Sequence, residues 1–326
     1  GGGKQWLCRS SGRGAVLGLM KAKSDALAAR LVGRVAGQGG WLGVAQTAAL
    51  DRLQPMGLPG KRDEYWRYTD PSSLTVPSAP KADLFDTKGE PRPFSAIDRL
   101  KIVFVDGVFD PAQSDALTLE GLEIAHLSDA AADAGHWAAD LYGTLEARGQ
   151  VPVERPLAAL NTAMAQSGVL IRVTGKLSKP VSLIYLRTSD ASDATLHHFV
   201  KMEPGSEMTL LENGPAAARL NKVLEVDVAE GARFHHVRTQ GRDHQRRAAT
   251  HVFARIAKDA LFKSFTLTAN GRLTRNDAYI ELLGDDAVAH IAGACMGDGD
   301  FHHDDTVFVT HAGLRCESRQ VFKKVL

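Results

Sequence analysis

The chain has 326 residues, of which 44% are hydrophobic and 24% charged, and its formal net charge is +1. This is the composition of an ordinary folded protein with two domains or one elongated one, and it excludes a wholly disordered chain. The charge balance gives no sign of a nucleic-acid or membrane surface, and no apolar run approaches the roughly 20 residues that cross a bilayer. The three cysteines are an odd, sparse set, unlike a disulfide framework, which favours the reducing cytoplasm.

The first hundred residues predict helices followed by a linker. Residues 1–19 precede the first clear helical pattern, which opens at Met20, so we expect them to be a leader outside the fold. Apolar residues at helical spacing then predict one helix from Ser24 to Val35 and another from Leu42 to Leu53. Residues 75–98 are rich in proline and charge, which is typical of an extended linker.

An aromatic and charged segment lies between the second helix and the linker. It reads LPGKRDEYWRYTDPSSL over residues 58–74. In one interpretation, Trp66 covers the core while the neighbouring basic side chains stay in water. In the other, Tyr65, Trp66 and Arg67 form a partner-docking site, because Trp, Tyr and Arg dominate interface hot spots. The sequence leaves both interpretations open.

Strand-forming sequence begins near residue 101. Residues 101–109 read KIVFVDGVF, in which Asp106 and Gly107 between two apolar runs predict a hairpin. The segment LEIAHL at 122–127 predicts a further strand. Two later segments, 129–148 and 156–166, predict helices, the second with a proline in its first turn.

From Lys201 onward the sequence repeats about every 27 residues. The recurring turn sites are Gly205-Ser206, Gly231-Ala232, Asp259-Ala260 and Asp286-Ala287, with a weaker fifth at Gly313. Apolar runs containing Val, Phe or Ile flank these sites, which indicates strands and not helices. A unit of strand, tight turn, strand and return loop at constant length is typical of a β-solenoid.

The repeat sets the predicted architecture. We expect a mainly β protein, with a β-helix core over residues 101–326 and a small helical N-terminal region with its linker over residues 20–100. In this register the phenylalanines at 234, 262 and 265 lie in or near the stacked interior, and Gly231 occupies a tight turn.

Possible metal ligands are concentrated near the end of the chain. His303, His311 and Cys316 are candidate ligands for iron or zinc, with His302 and Cys295 close by in sequence. Neighbours on a strand point to opposite faces, so His302 and His303 do not serve one site in a regular strand. The alternative is that the histidines lie on an outer face or at a subunit contact and that Cys295 is a small core residue.

Several segments together resemble the SufB/SufD family of iron–sulfur cluster assembly proteins. They are KRDEYWRYTD at 61–70, RPLAALNTA at 155–163, RTQG at 238–241, LTRND at 273–277 and HDDTVFVTHAGLRCESRQVFKKVL at 303–326. The resemblance covers residues 20–326, and the first segment is closest to the SufD branch of the family. It implies a flattened right-handed β-helix core, preceded by helices and followed by a helical segment beyond residue 326.

The resemblance also implies a role. Members of this family are non-enzymatic scaffold subunits, so we expect pairing with a SufB-like subunit through the β-helix. A SufC-like ABC ATPase would bind through the C-terminal segment that this sequence does not contain. The complex would handle the Fe–S cluster, and we expect no cofactor bound by this chain alone. His311 and Cys316 match family positions in the last segment. Neither nucleic acid nor membrane is an expected partner.

Two other functions stay open. The β-helix also hosts enzymes that act on polysaccharides, and these need paired acidic groups. Asp285-Asp286 and Asp304-Asp305 are the acidic doublets of the repeat region, but adjacent residues on a strand diverge. The remaining alternative is an interaction solenoid without iron chemistry. The sequence has no G-x-x-x-x-G-K-[ST] loop, so we do not expect this chain to hydrolyse ATP.

Overall fold

Helices predominate up to residue 164 and strands after it in the computed structural model of this protein, which describes residues 11–34, 39–241 and 243–325. The helices are α1 (Ser11–Leu31), α2 (Gly40–Met56), α3 (Ser72–Thr75), α4 (Leu127–Ala131), α5 (Thr144–Gly149) and α6 (Pro156–Met164), with short 3-10 turns at Glu64–Trp66 and Trp137–Asp140. The strands are β1 (Leu100–Val105), β2 (Val108–Phe109), β3 (Leu122–His126), β4 (Val169–Val173), β5 (Val181–Leu186), β6 (Asp193–Met202), β7 (Glu207–Asn213), β8 (Arg219–Val228), β9 (Arg233–Gln240), β10 (Arg247–Ile256), β11 (Leu261–Ala269), β12 (Leu273–Leu282), β13 (Val288–Met296), β14 (His303–His311) and β15 (Glu317–Val325).

The strands form a solenoid. From β4 to β15 they alternate between two sheets, so that each of the six coils in the described chain gives one strand to each sheet. The eight-stranded sheet has the order β15-β13-β11-β9-β7-β5-β1-β2, and the seven-stranded sheet has the order β14-β12-β10-β8-β6-β4-β3. Neighbouring coils pair in parallel, while at the start β2 pairs antiparallel with β1 and β3 pairs antiparallel with β4. The predicted mainly β fold with a solenoid core is confirmed.

Residues with left-handed backbone mark the turn between the two strands in the four coils from β6 to β13. They are Gly205, Gly231, Asp259 and Asp286, with φ values of 71°, 68°, 54° and 60°. The backbone N–H of Gly231 donates to the Lys258 carbonyl of the next coil at 2.9 Å, and the other three make the equivalent bond. Glycine tolerates this conformation freely and aspartate tolerates it better than most residues. That restriction explains why the turns produced a periodic sequence signal.

The fifth turn differs from the prediction. Arg315, with a φ of 53°, takes the left-handed position, and Gly313 does not. Gly313 instead passes close to the preceding coil, where an added Cβ atom would lie 2.2 Å from the carbonyl oxygen of Gly284. A glycine is therefore required at residue 313 by close packing and not by its φ angle.

The interior phenylalanines follow the alternation of their strands. Phe234 and Phe262 are buried, and their ring centroids lie 5.5 Å apart in neighbouring coils. The prediction that Phe265 also lies in or near the interior is wrong, since it is 40% exposed on the outer face of the eight-stranded sheet. Phe265 follows Phe262 by three positions, an odd number, so the two side chains point to opposite faces.

Helices cover one outer face of the solenoid. Phe199 and Phe253, on the outer face of the seven-stranded sheet, are buried with Tyr142 and Leu145 from the helical region before β4. Trp66 joins a second buried cluster with Leu27 and Leu53 from the first two helices, and this cluster also includes solenoid residues. On the outer face of the eight-stranded sheet, Phe265 and Met296 stay exposed, with the linker residues Leu84 and Phe85 beside Met296. The solenoid thus has one covered face, whereas its other face is open at the later strands, and we call this part the open face.

Most local predictions before the repeat agree with the structure. The hairpin at Asp106 and Gly107 is present, and both residues have positive φ. The linker after α3 contains no helix or strand until β1. The helix predicted over 129–148 is instead three short helical pieces, and α1 begins at Ser11, nine residues before Met20. Residues 1–10 and Val35 lie outside the described residues. None of the described helices is long and apolar enough to cross a membrane.

Candidate functional site

A column of polar side chains runs through the interior of the solenoid, and we call it the polar column. Its members all point inward and are buried or nearly so. They are Tyr185, His198, Glu212, Lys222, His236, Arg238, Gln240, Thr250, Thr268, Asn276, His303 and Asp305. Strand register stacks them, because Lys222, Thr250, Asn276 and Asp305 occupy equivalent positions on four consecutive parallel strands.

Glu212 is the centre of the column at its early end. Its carboxylate accepts hydrogen bonds from the Tyr185 hydroxyl at 2.6 Å, from His236 Nε2 at 2.6 Å and from the Lys222 ammonium. Burial acts to raise the pKa of Glu212, but the nearby Lys222 and His236 outweigh it, so this pKa lies well below its usual value. Burial lowers the pKa of Lys222 to about 8, against the attraction of Glu212. The column therefore holds a buried carboxylate among donors.

His198 is held in its neutral form. The backbone N–H of Val169 donates to its Nδ1 at 3.0 Å, so Nδ1 is an acceptor and the ring proton lies on Nε2. Nε2 then donates to the Tyr185 hydroxyl at 3.0 Å, and that hydroxyl in turn donates to Glu212. Burial lowers the pKa of His198 to about 3. A second proton would place two N–H groups face to face, which is the local reason for its neutrality.

The column continues toward the last coil through both charged and neutral groups. Arg238 Nη1 donates to Thr250 Oγ1 at 2.8 Å, and the Thr250 hydroxyl donates to Asn276 Oδ1 at 2.8 Å. Asn276 Nδ2 donates to Asp305 Oδ1 at 3.2 Å, and Lys324 Nζ lies 3.5 Å from the other oxygen of Asp305. Fixed donors and acceptors therefore extend from β5 to β15.

Cys295 lies beside this late end of the column. It pairs in register with Thr268 on one side and Lys324 on the other, and it is buried as a free thiol. Burial raises the pKa of the Cys295 thiol, Lys324 acts in the opposite sense, and Asp305 adds to the rise. Across the described ranges, no group of three or more His, Cys, Asp or Glu side chains converges in a way that would hold a metal ion. The column can position protons and polar atoms but has no ready-made metal cage.

The three residues predicted as metal ligands are not brought together within the chain. His303 points inward, with Nε2 3.3 Å from Asp305 Oδ1. His311 lies at the other end of the same strand and contacts Ser318 Oγ at 2.9 Å. A strand of this length separates the two histidines by roughly 26 Å. Cys316 lies beyond it, with Sγ 3.2 Å from the Gly284 carbonyl oxygen.

The predicted docking residues occupy two different environments. Trp66 is only 6% exposed, and the Arg275 guanidinium stacks over its ring at 4.1 Å. Trp66 thus covers the core, as the first interpretation proposed. Tyr65 and Arg67 lie at the surface, where Arg67 stands 5.5 Å over the Tyr68 ring. Docking of a partner at these two residues stays a prediction.

Both acidic doublets serve structural contacts. Asp304 points outward and accepts hydrogen bonds from Thr69 at 2.7 Å and Arg275 at 2.6 Å, while Asp305 points inward. Asp286 pairs with Arg315 at 2.8 Å in the adjacent turn. The divergence expected for neighbouring strand residues is present at 304 and 305, so these carboxylates do not face each other.

The polar column was missed in the sequence because its members lie far apart along the chain. A usable signal was nevertheless present in the repeat. Lys222, Thr250, Asn276 and Asp305 recur at close to the 27-residue period, in the middle of otherwise apolar strands. Polar residues at the same inward position of successive coils indicate a shared network, because a buried polar group needs a partner.

Comparison with known proteins agrees with this architecture. Residues 185–326 match the family model described as SUF system FeS cluster assembly, SufBD core domain. The chain is also 24% identical over 293 residues to the iron–sulfur cluster assembly protein SufD of Escherichia coli K12, an alignment that covers 85% of this chain and 64% of that protein. The chain thus spans less than two thirds of the length of this relative. The matched core begins in β5 and contains the whole polar column, and the chain is similar to the SufD branch of the SufB/SufD family.

Proposed function

We propose that this chain is a scaffold subunit of an iron–sulfur cluster assembly complex. It pairs with a SufB-like subunit through the solenoid, and a SufC-like ATPase binds through the segment that the resemblance places after residue 326. The observation that carries the proposal is the match of the SufBD core domain to the solenoid from Tyr185 onward. The cluster is the cargo of the complex, and this chain has no catalytic role of its own. Reducing conditions in the cytoplasm keep Cys295 and Cys316 as thiols.

The open face of the solenoid supports a protein partner. Phe265, Ala292 and Val321 are register neighbours on three adjacent strands of the eight-stranded sheet, all on its outer side. Met296 and Val325 are register neighbours four residues further along the same strands, and they are 52% and 69% exposed. Contiguous exposed apolar surface marks interaction sites in folded proteins. We assign this row to the SufB-like subunit.

Co-purification tests the pairing. The affinity-tagged chain is co-expressed with SufB-like and SufC-like proteins, and we expect it to retain the SufB-like subunit. Phe265→Asp should reduce retention at least tenfold, because it places a charge in the apolar row. Lys258→Asp, on an exposed turn, is the matched control and should retain the partner. Retention of neither protein by the unmodified chain would favour an interaction solenoid without iron chemistry.

Anaerobic reconstitution with iron and sulfide tests where the cluster lies. We expect the chain alone to show no visible absorption, and the complex with the SufB-like subunit to gain it. The physical reason is that His303, His311 and Cys316 do not converge in one chain. A stoichiometric cluster on the isolated chain that is lost in Cys316→Ser would contradict this expectation and make Cys316 a ligand.

A further inference from the structure

A basic cleft lies where the aromatic segment before α3 meets the return loops of the solenoid. Its volume is about 530 Å³. Its charged and aromatic walls are formed by Lys61, Arg67, Tyr68, Arg247, Arg272 and His302. A second cavity, of about 540 Å³, adjoins it and shares Arg247 and Arg272. The proposed scaffold function uses none of these residues.

Two arginines, Arg247 and Arg272, meet in this cleft. Burial and the nearby Arg272 guanidinium lower the pKa of Arg247. Arg247 Nη1 donates to the Gln245 carbonyl at 3.2 Å, whereas its Nε is buried and has no hydrogen-bond partner among the described residues. A buried N–H without a partner costs stability. An anionic ligand that accepts hydrogen bonds from this guanidinium would therefore stabilise the protein.

Acidic groups near the cleft do not neutralise it. Of the described residues that line it, only Asp70 is acidic, and its carboxylate accepts the Ser72 backbone N–H at 3.0 Å. Arg272 pairs with Asp300 at 2.8 Å, but Asp300 is 86% exposed. An exposed pair of this kind is weak and readily exchanged for a better anion. The cleft therefore keeps an excess of positive charge.

The shape and chemistry of the cleft select the kind of anion. Planar guanidinium groups match pairs of phosphate oxygens, and a lysine on the opposite wall adds a point charge. The basic side chains enclose a compact space and do not form a long stripe, as a nucleic-acid surface would. We propose that this cleft binds a compact anion with two or more phosphate groups. Tyr68, whose ring is 82% exposed at the rim, is available to stack on a base if the anion is a nucleotide.

Ligand binding would also join two parts of the chain. Thr69 Oγ1 contacts His302 Nε2 at 2.9 Å and donates to Asp304 at 2.7 Å, which fixes the aromatic segment on the solenoid. Lys61 and Arg67 come from that segment, whereas Arg247 and Arg272 come from the coils. An anion held by both walls therefore stabilises the docked segment as well as filling the cleft.

Calorimetric titration of the full chain with pyrophosphate and tripolyphosphate tests the proposal. We expect saturable binding that weakens as salt rises. Arg247→Gln combined with Arg272→Gln should weaken it at least tenfold. Arg233→Gln, an exposed arginine at the other end of β9 from the cleft, is the matched control and should bind normally. ADP in place of pyrophosphate distinguishes the sources, since tighter ADP binding identifies a nucleotide and weaker ADP binding an inorganic polyphosphate.

Several outcomes would overturn the proposal. One is no heat of binding at millimolar pyrophosphate in low salt. Another is unchanged affinity in the double variant, or tighter binding of an oligoglutamate peptide than of tripolyphosphate. If the double variant does not fold, Lys61→Gln on the opposite wall takes its place, and undiminished binding by that variant has the same consequence.

Discussion

The two halves of the solenoid interior are built on different principles. Beside the left-handed turns the interior is apolar, with Phe234 and Phe262 stacked between coils and Ile256 and Leu282 packed in the same cluster. Toward the return loops the same strands carry the polar column. Apolar packing gains stability from area, without direction. Buried polar groups stabilise the fold only when they are hydrogen-bonded, and each lost partner decreases the free energy of unfolding. One half therefore depends on volume and the other on pairing.

The apolar half should show the largest single loss of stability. Phe234→Ala removes a fully buried ring that stacks on Phe262, so we expect a decrease of about 3–5 kcal/mol in the free energy of unfolding. Phe234→Leu, which keeps most of the volume, should cost clearly less. Denaturant titration measures both. A loss below about 1 kcal/mol for the alanine variant would show that the interior does not depend on volume at this position.

The polar half should respond to the loss of a single atom. Thr250→Val keeps the shape of the side chain but removes the hydroxyl that accepts from Arg238 and donates to Asn276. The buried Arg238 Nη1 then lacks this acceptor, while Asn276 Oδ1 keeps only Gln240 Nε2 at 3.0 Å, so we expect a loss of about 1–3 kcal/mol. Thr209→Val, which points outward on β7, is the matched control and should be nearly neutral. Equal effects of the two substitutions would remove the distinction between the halves.

Acid should weaken the polar half selectively. The folded-state pKa of His198 is about 3, below the unfolded value near 6.5, because burial disfavours its charged form. As pH falls, the unfolded state therefore binds the proton first, and stability is lost between pH 6.5 and 3. From pH 6.5 to 5 this one group should remove roughly 1.5 kcal/mol.

Denaturant titrations across this pH range provide the measurement. The unmodified chain should lose stability more steeply than His198→Gln, which has no titrating ring at that position. Identical slopes would mean that His198 already binds a proton in the folded state. His311→Gln, at the exposed end of β14, serves as the control for general effects of removing a histidine.

The comparison of the two halves also explains what the sequence could and could not predict. The turns were predictable because a left-handed residue restricts composition at each coil, as at Gly231 and Asp259. The inward positions of Lys222 and Thr250 were not predictable, because the sequence does not distinguish a polar strand residue that points inward from one that points outward. Its partner lies in another coil. Proximity along the chain misled in the opposite way at His303 and His311, because an extended strand separates residues that a turn would have brought together.

The smallest effect on stability is expected on the open outer face. Phe265→Ala removes a ring that is already 40% exposed, so we expect a loss below about 1 kcal/mol in denaturant titration. Phe253 also points outward, but on the other sheet, where the helices bury it. Phe253→Ala should therefore cost about 3–5 kcal/mol, like an interior residue. If both losses were large, Phe265 would have a cover within the isolated chain. The expected result is a small loss of stability at Phe265 only, together with weaker retention of the SufB-like subunit by Phe265→Ala. The ring would then contribute to partner binding and not to folding.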